Sequence, residues 1–178
     1  MNCILWNPQS LVNKINDFIQ ILEDSSINIG LLCETWFKSQ NNHATALLKE
    51  SGYNISHYNR PEENGGGVAI LSKQNYETKF EKSCKYTSFE CVIQTLKTSN
   101  TAVNLTFIVV YRHGSVSISV FLDEFYELLE YVTLNFKCFL ICGDFNIHIN
   151  KLTDSTTIKF TDILNTFSLQ QLIKSSTH

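Results

Sequence analysis

Asn7, Glu34, Asp144 and Asn146 each stand just beyond the carboxyl end of a short apolar run. Two carboxylates and two amides converging on one point could hold a hard cation through oxygen. Mg²⁺ suits such a set, because it takes one or two carboxylates and keeps water and a substrate phosphate as its other ligands. The carboxyl ends of strands in α/β folds are where sites assemble, since the chain turns there and side chains clear the sheet. Taken singly, each of these residues is equally ordinary turn chemistry, with an Asp or Asn accepting from nearby backbone N–H groups. Taken together at successive strand ends, they form the candidate site.

Other polar features carry less. Gly65, Gly66 and Gly67 lack the following Lys-Ser/Thr of a phosphate-cradling P-loop and read as the start of a hairpin strand. Arg60 and Lys73 could meet a phosphate but read as solvated surface. His113 and His148 lie near the acidic motifs without metal-ligand spacing. Trp36 reads as packing rather than as a platform on which a base stacks. Cysteines at 3, 33, 84, 91, 138 and 142 show no zinc-ribbon gap, and four of them fall in or beside apolar runs. They read as small buried hydrophobes and reduced, intracellular thiols.

The elements that must position the candidate residues follow from periodicity. Residues 2–6 read as a buried strand, and apolar residues from Leu11 to Leu22 repeat at helical spacing with Ser10 placed to cap them. Residues 29–33 form an apolar strand ending at Glu34. Ser39 is placed to cap a helix through Ala44, Leu47 and Leu48, which Gly52 stops. Strands then follow at 53–58, 68–71, an alternating 89–95 and 103–111, with a turn at 98–101. Phe121 to Val132 repeat as a second amphipathic helix, and residues 139–142 read as a central strand. Phe160 to Phe167 mark a further helix, and Leu172-Ile173 the start of another strand. Helices at both ends of a β-meander fit an α/β sandwich of two mixed sheets with helices outside.

Composition bounds the reading. A chain of 178 residues, 43% hydrophobic and 17% charged, suits one domain and excludes intrinsic disorder. No apolar run is long enough to span a membrane, and no secretory signal opens the chain. Lys and Arg total 14 against 17 Asp and Glu, for a net charge of −3, without runs of either sign. Binding to nucleic acid chiefly through a basic surface is therefore excluded, and any such contact belongs to a local site.

The block Gly143-Asp144-Phe145-Asn146, directly after an apolar strand, resembles the signature of the endonuclease/exonuclease/phosphatase superfamily. Trp6-Asn7, Glu34-Thr35-Trp36 and Gly66-Gly67-Val68-Ala69-Ile70-Leu71-Ser72-Lys73 are similar to further family segments, in the family's order. So is Tyr111 at the end of Val109-Val110-Tyr111. Within the superfamily, Asn7-Pro8-Gln9-Ser10-Leu11 with Asn13-Lys14, then Glu34-Thr35-Trp36, Gly65-Gly66-Gly67-Val68-Ala69-Ile70 and Gly143-Asp144-Phe145-Asn146-Ile147-His148, resemble the apurinic-type endonuclease domain of non-LTR (LINE-like) retrotransposons. The resemblance covers essentially the whole chain, 1–178, as one domain, and implies a DNase I-like layered sandwich of two mixed β-sheets flanked by helices.

What the resemblance implies about roles is specific. Glu34 would ligate a catalytic Mg²⁺, with Mn²⁺ as a substitute. Asp144 would orient and deprotonate the attacking water, and Asn146 would donate to a phosphate oxygen. Asn7 would position the carboxylates or the metal, and Tyr111 would hydrogen-bond the phosphate. The implied reaction is phosphodiester hydrolysis that nicks one DNA strand and leaves a 3′-hydroxyl to prime reverse transcription. DNA is the implied partner, the nucleus the implied location, and a reverse transcriptase would follow in a full-length relative. The family pattern ends in a Ser-Asp-His block, whereas this chain ends Ser175-Ser176-Thr177-His178. The expectation is a domain incomplete at its carboxyl end, lacking the last strands and weakly active or inactive. The alternatives are a phosphoesterase of the same fold acting on RNA or a small phosphate ester, and a catalytically silent remnant or binding module.

Overall fold

Apolar residues in unbroken runs make the interior strands, and apolar residues at helical spacing make the layers that cover them. The computed structural model describes residues 1–38, 42–59, 65–97 and 103–173. Its elements run β1 (Cys3–Trp6), α1 (Ile15–Asp24), β2 (Ile29–Cys33), α2 (Asn42–Glu50), β3 (Tyr53–Tyr58), β4 (Val68–Lys73) and β5 (Thr78–Lys85). They continue with β6 (Phe89–Leu96), β7 (Leu105–Arg112), α3 (Ile118–Asn135), β8 (Phe139–Asp144) and α4 (Ser155–Thr166). One four-stranded sheet has the order β1-β2-β4-β3 and the other β5-β6-β7-β8. The pairs β1/β2 and β7/β8 are parallel and the others antiparallel, so both sheets are mixed.

Three apolar layers hold this α/β sandwich together. Between the sheets, Ile29, Leu31, Val68 and Ile70 meet Val92, Phe107 and Val109. On the outer face of the first sheet, Phe18, Leu22, Ala44 and Leu48 of α1 and α2 cover Leu32, Ala69 and Leu71. On the outer face of the second, Phe121, Phe125, Leu128 and Phe160 of α3 and α4 cover Phe89, Cys91, Ile93 and Val110. The fold class expected from the sequence is the one observed.

Several local expectations fail for physical reasons. Ser10 does not cap the first helix: its φ of 87° and a backbone bond to the Glu34 carbonyl at 2.9 Å tie it to the neighbouring loop. The helix opens instead through a 3₁₀ turn at Val12–Lys14 without a side-chain cap. Leu172 and Ile173 join no strand and are exposed. Residues 139–142 are not central, because among the described residues β8 pairs only with β7 and is half-buried along its length. An apolar run reports cover on the two faces of a strand and says nothing about its two edges.

β5 escapes the periodicity reading because Phe80 is its one large apolar residue, while Lys79, Glu81 and Lys82 suit an edge that must not pair further. The polar positions of β6 are not solvent-facing: Glu90 and Gln94 are buried, and Gln94 donates to Ser72 across the sandwich at 3.2 Å. The Asp154 carboxylate caps α4 by accepting from the backbone N–H groups of Thr156 and Thr157. Cys3, Cys33, Cys91, Cys138 and Cys142 carry free thiols. Among the described residues no helix is long and apolar enough to cross a membrane. Ser39, Arg60, the turn at 98–101 and the tail at 175–178 lie outside the described residues.

Candidate active site

The parallel strands β1 and β2 end side by side, and β7 and β8 end side by side in the facing sheet. Their terminal residues meet on one rim of the sandwich. There the Asn7 side-chain amide donates from Nδ2 to Glu34 Oε1 at 2.8 Å and to Asp144 Oδ2 at 3.0 Å. One nitrogen thus bridges two carboxylates that come from opposite sheets, 137 residues apart in the case of Asp144. The other end of the Asn7 amide is fixed as well, since Oδ1 accepts the backbone N–H of Gln9 at 3.1 Å. An amide held at both ends cannot rotate to swap donor for acceptor, so the two carboxylates are presented to a donor and to each other in one arrangement.

The loops that carry these residues are laced into a ladder beyond the strand ends. Ser10 and Leu11 donate to the carbonyls of Glu34 and Thr35, at 2.9 and 3.1 Å. Thr35 and Trp36 donate in turn to Gly67 and Gly66, at 3.1 and 2.9 Å. Gly67 then donates to the buried Glu90 carboxylate at 2.6 Å. The glycine is required here, because a Cβ at Gly67 would stand 2.6 Å from Thr35 Oγ1. Gln9, Ser10, Glu34, Trp36 and Asn146 all hold positive φ, a conformation that costs a non-glycine residue energy and that collects at functional sites.

Asp144 and Asn146 are organised by the opposite sheet. Asp144 Oδ1 accepts the backbone N–H of Asn146 at 3.1 Å, and Asn146 Nδ2 donates to the Arg112 carbonyl at 2.5 Å. Tyr111 is the register partner of Asp144, so the two side chains share the face toward the first sheet. The Tyr111 side chain is buried within the layer between the sheets. All five residues singled out from the sequence therefore come together: Asn7, Glu34 and Asp144 by direct contact, Asn146 through the turn after β8, and Tyr111 by register. His113 and His148 are exposed and bond within their own turn or not at all to this cluster.

Sequence reasoning missed Arg112 and Glu90. The Arg112 guanidinium is buried and donates to the carbonyls of Phe145 and Asn146, both at 3.2 Å, and of Val116 at 2.7 Å. It stands over the Phe121 ring at 5.5 Å, and burial pushes its pKa below the ordinary guanidinium value. It thereby fixes the turn that presents Asp144 and Asn146. An Arg after an apolar strand, and a Glu within one, carry no periodic signal that separates them from surface charges. Arg112→Ala strips three carbonyls of a charged donor and is expected to cost about 3 kcal/mol, lowering the melting temperature by about 10 °C. Arg112→Lys should recover only part of this, since a point charge cannot fork to three acceptors; thermal unfolding of both variants checks it.

The donor set fits a divalent cation. Two carboxylates held close together repel one another, and an Mg²⁺ that needs one or two carboxylates, with water and phosphate as its other ligands, offsets that repulsion. Among the described residues no cluster of three or more His, Cys, Asp or Glu could hold a metal alone. A pair of carboxylates could hold such a cation only together with other oxygen ligands such as water.

Comparison with known proteins bears on the family and the fold. Residues 4–160 match the family described as endonuclease/exonuclease/phosphatase. Among solved structures, the chain is similar to the endonuclease domain of TRAS1, a telomere-specific non-LTR retrotransposon, with a TM-score of 0.74 and 14% identity. That match covers 97% of this chain and 75% of the other. An AP endonuclease from Archaeoglobus fulgidus is similar with a TM-score of 0.68 and 16% identity over 93% of this chain and 71% of its own. The 3′ phosphatase NExo from Neisseria, bound to a product DNA hairpin, has a TM-score of 0.66 and 18% identity, over 93% of this chain and 70% of its own. No match was found among curated protein sequences.

Proposed function

The chain belongs to the endonuclease/exonuclease/phosphatase family, a family of hydrolytic nucleases and phosphatases, and from that premise we propose that it is a divalent-cation-dependent endonuclease that nicks DNA. The observation that carries this reading is the Asn7 amide bridging Glu34 and Asp144 at 2.8 and 3.0 Å. Similarity to a retrotransposon endonuclease domain and to an enzyme solved with product DNA supports DNA as the substrate.

On this reading Glu34, with Asp144 beside it, would hold Mg²⁺ or Mn²⁺, which when bound would supply Lewis acidity to offset charge developing on the scissile phosphate. Asn7 keeps both carboxylates in place. Asp144 orients the attacking water and accepts its proton, a role suited to an acceptor-only side chain fixed at both oxygens. Asn146 has one amide hydrogen committed to Arg112 and a second left for a phosphate oxygen. Tyr111 lends its hydroxyl to the same phosphate.

The test is nicking of supercoiled plasmid by this chain with Mg²⁺ and with EDTA, run beside oligo(A) and a phosphoinositide. The expected result is conversion to the relaxed circle that EDTA abolishes, with the other two substrates untouched. A folded chain that leaves the plasmid supercoiled in Mg²⁺ overturns the reading.

A further inference from the structure

We propose that the Trp36 indole is the platform on which a nucleobase beside the reacting phosphate stacks, so that the substrate is read through an unpaired base and not through its phosphates alone. This deepens the reading above and rests on it for the identity of the neighbouring phosphate site.

The two tryptophans of the chain are placed very differently. Trp6 packs against Phe18 with ring centroids 5.1 Å apart, as a core residue does. Trp36 leaves 39% of its surface to solvent and has no ring partner among the described residues. It is nevertheless rigidly held. Its φ is 55°, a conformation a bulky side chain adopts only when its surroundings enforce it. Its backbone N–H donates to Gly66 at 2.9 Å, and its indole Nε1 donates to Glu34 Oε2 at 3.4 Å. Gly65 lies against the ring, where even a Cβ would stand 3.5 Å from Cε2. The chain thus keeps a strained backbone in order to hold a large, partly bare aromatic surface against the carboxylate proposed to bind the cation.

Charge supplies the second argument. A polymer of phosphates is ordinarily held by Lys and Arg, but here 14 of these face 17 Asp and Glu. Binding must draw on a contact that does not depend on phosphate neutralisation. Base stacking on an aromatic ring is such a contact: it weakens about fivefold to a hundredfold when the ring is removed, and it accepts any base. A small phosphate ester would have no use for it.

The test measures binding of a short labelled single-stranded oligodeoxynucleotide by anisotropy in EDTA, where nothing turns over. It uses the wild-type chain, Trp36→Ala and Trp36→Phe, and the same strand with single abasic residues scanned along it. Trp36→Ala should weaken binding about tenfold, and Trp36→Phe, which loses the bond to Glu34 but keeps an aromatic face, should stay within about threefold of wild type. One abasic position should weaken wild type about tenfold and leave Trp36→Ala unchanged, since the two deletions remove one contact. Equal losses in the Phe and Ala variants would mean that Trp36 only orients Glu34, and would overturn the proposal. So would an abasic scan that never distinguishes wild type from Trp36→Ala, or a failure of any oligonucleotide to bind. Hydrolysis of bis(4-nitrophenyl) phosphate, a diester without bases, is followed in parallel in Mg²⁺. Turnover of it without Trp36-dependent binding removes the platform and leaves the phosphodiesterase. Trp36-dependent binding without turnover of any diester keeps the platform and removes the hydrolytic reading.

Discussion

Asp144→Asn and Glu34→Gln are each expected to slow Mg²⁺-dependent nicking by a factor of about 10²–10⁴ while leaving the melting temperature unchanged or slightly raised. Activity falls because an amide is a poor ligand for a hard cation and, at position 144, cannot take a proton from water. Stability does not fall with it, for a reason the hydrogen bonds make explicit. Asp144 accepts twice, from Asn7 at 3.0 Å and from the Asn146 backbone at 3.1 Å. Asn offers one carbonyl oxygen, so one of these bonds is lost, at about 1 kcal/mol. Against that stands the removal of one of two like charges facing the same nitrogen, an offset of similar size. The reciprocal variant, Asn7→Ala, has no such offset. It leaves both carboxylates facing one another without their donor, so it should destabilise by about 1–3 kcal/mol and also reduce nicking about 10–100-fold. Steady nicking rates and thermal unfolding, measured on the three variants together, check the pattern. Loss of stability in parallel with activity at Asp144 would mean that the carboxylate is structural.

The residues whose chemistry was legible in the sequence share one property: each stands at or just beyond the end of an apolar strand. Glu34 follows a strand that is buried throughout, and Asp144 closes one that covers an interior face, so hydrophobic periodicity alone set them at a rim. What periodicity could not give was their convergence, because β1 and β8 lie in different sheets and no spacing rule reports which strands face each other. Resemblance supplied it, and the Asn7 bridge is its physical form. The residues that support the site were illegible for a related reason. Arg112 and Glu90 are buried charges that bond to backbone groups, and a backbone carbonyl or N–H has no letter in the sequence. Trp36 differs from its residue type in the opposite sense. Tryptophan is so often core that its type argued for packing, whereas its surroundings leave its surface partly bare. The β5 edge shows the same limit at the level of fold, since pairing with β6 and not composition makes it a strand.

Gly143→Ala should be the most disruptive single substitution near the site, costing about 4 kcal/mol or more and lowering the melting temperature by roughly 10–15 °C. Gly143 has φ 145°, and a Cβ built there would stand 1.8 Å from the Val110 carbonyl oxygen, 2.7 Å from its carbon and 2.9 Å from its nitrogen. Those three atoms are backbone of β7, which cannot yield as a side chain does without breaking the β7/β8 ladder. Val110 pairs with Gly143 and Tyr111 with Asp144, so parting the strands at one register position displaces the next, where Asp144 stands. Gly52→Ala separates this contact from the intrinsic cost of a positive φ. Gly52 has φ 86° but nothing within 4 Å of its would-be Cβ, so that variant should lose only about 1 kcal/mol. Thermal unfolding of both variants, with hydrogen exchange at the amides of β8, reads the difference. If the two alanines cost the same, the close approach of β7 to Gly143 does not hold Asp144 in place, and the rim must be set by the Asn7 bridge alone.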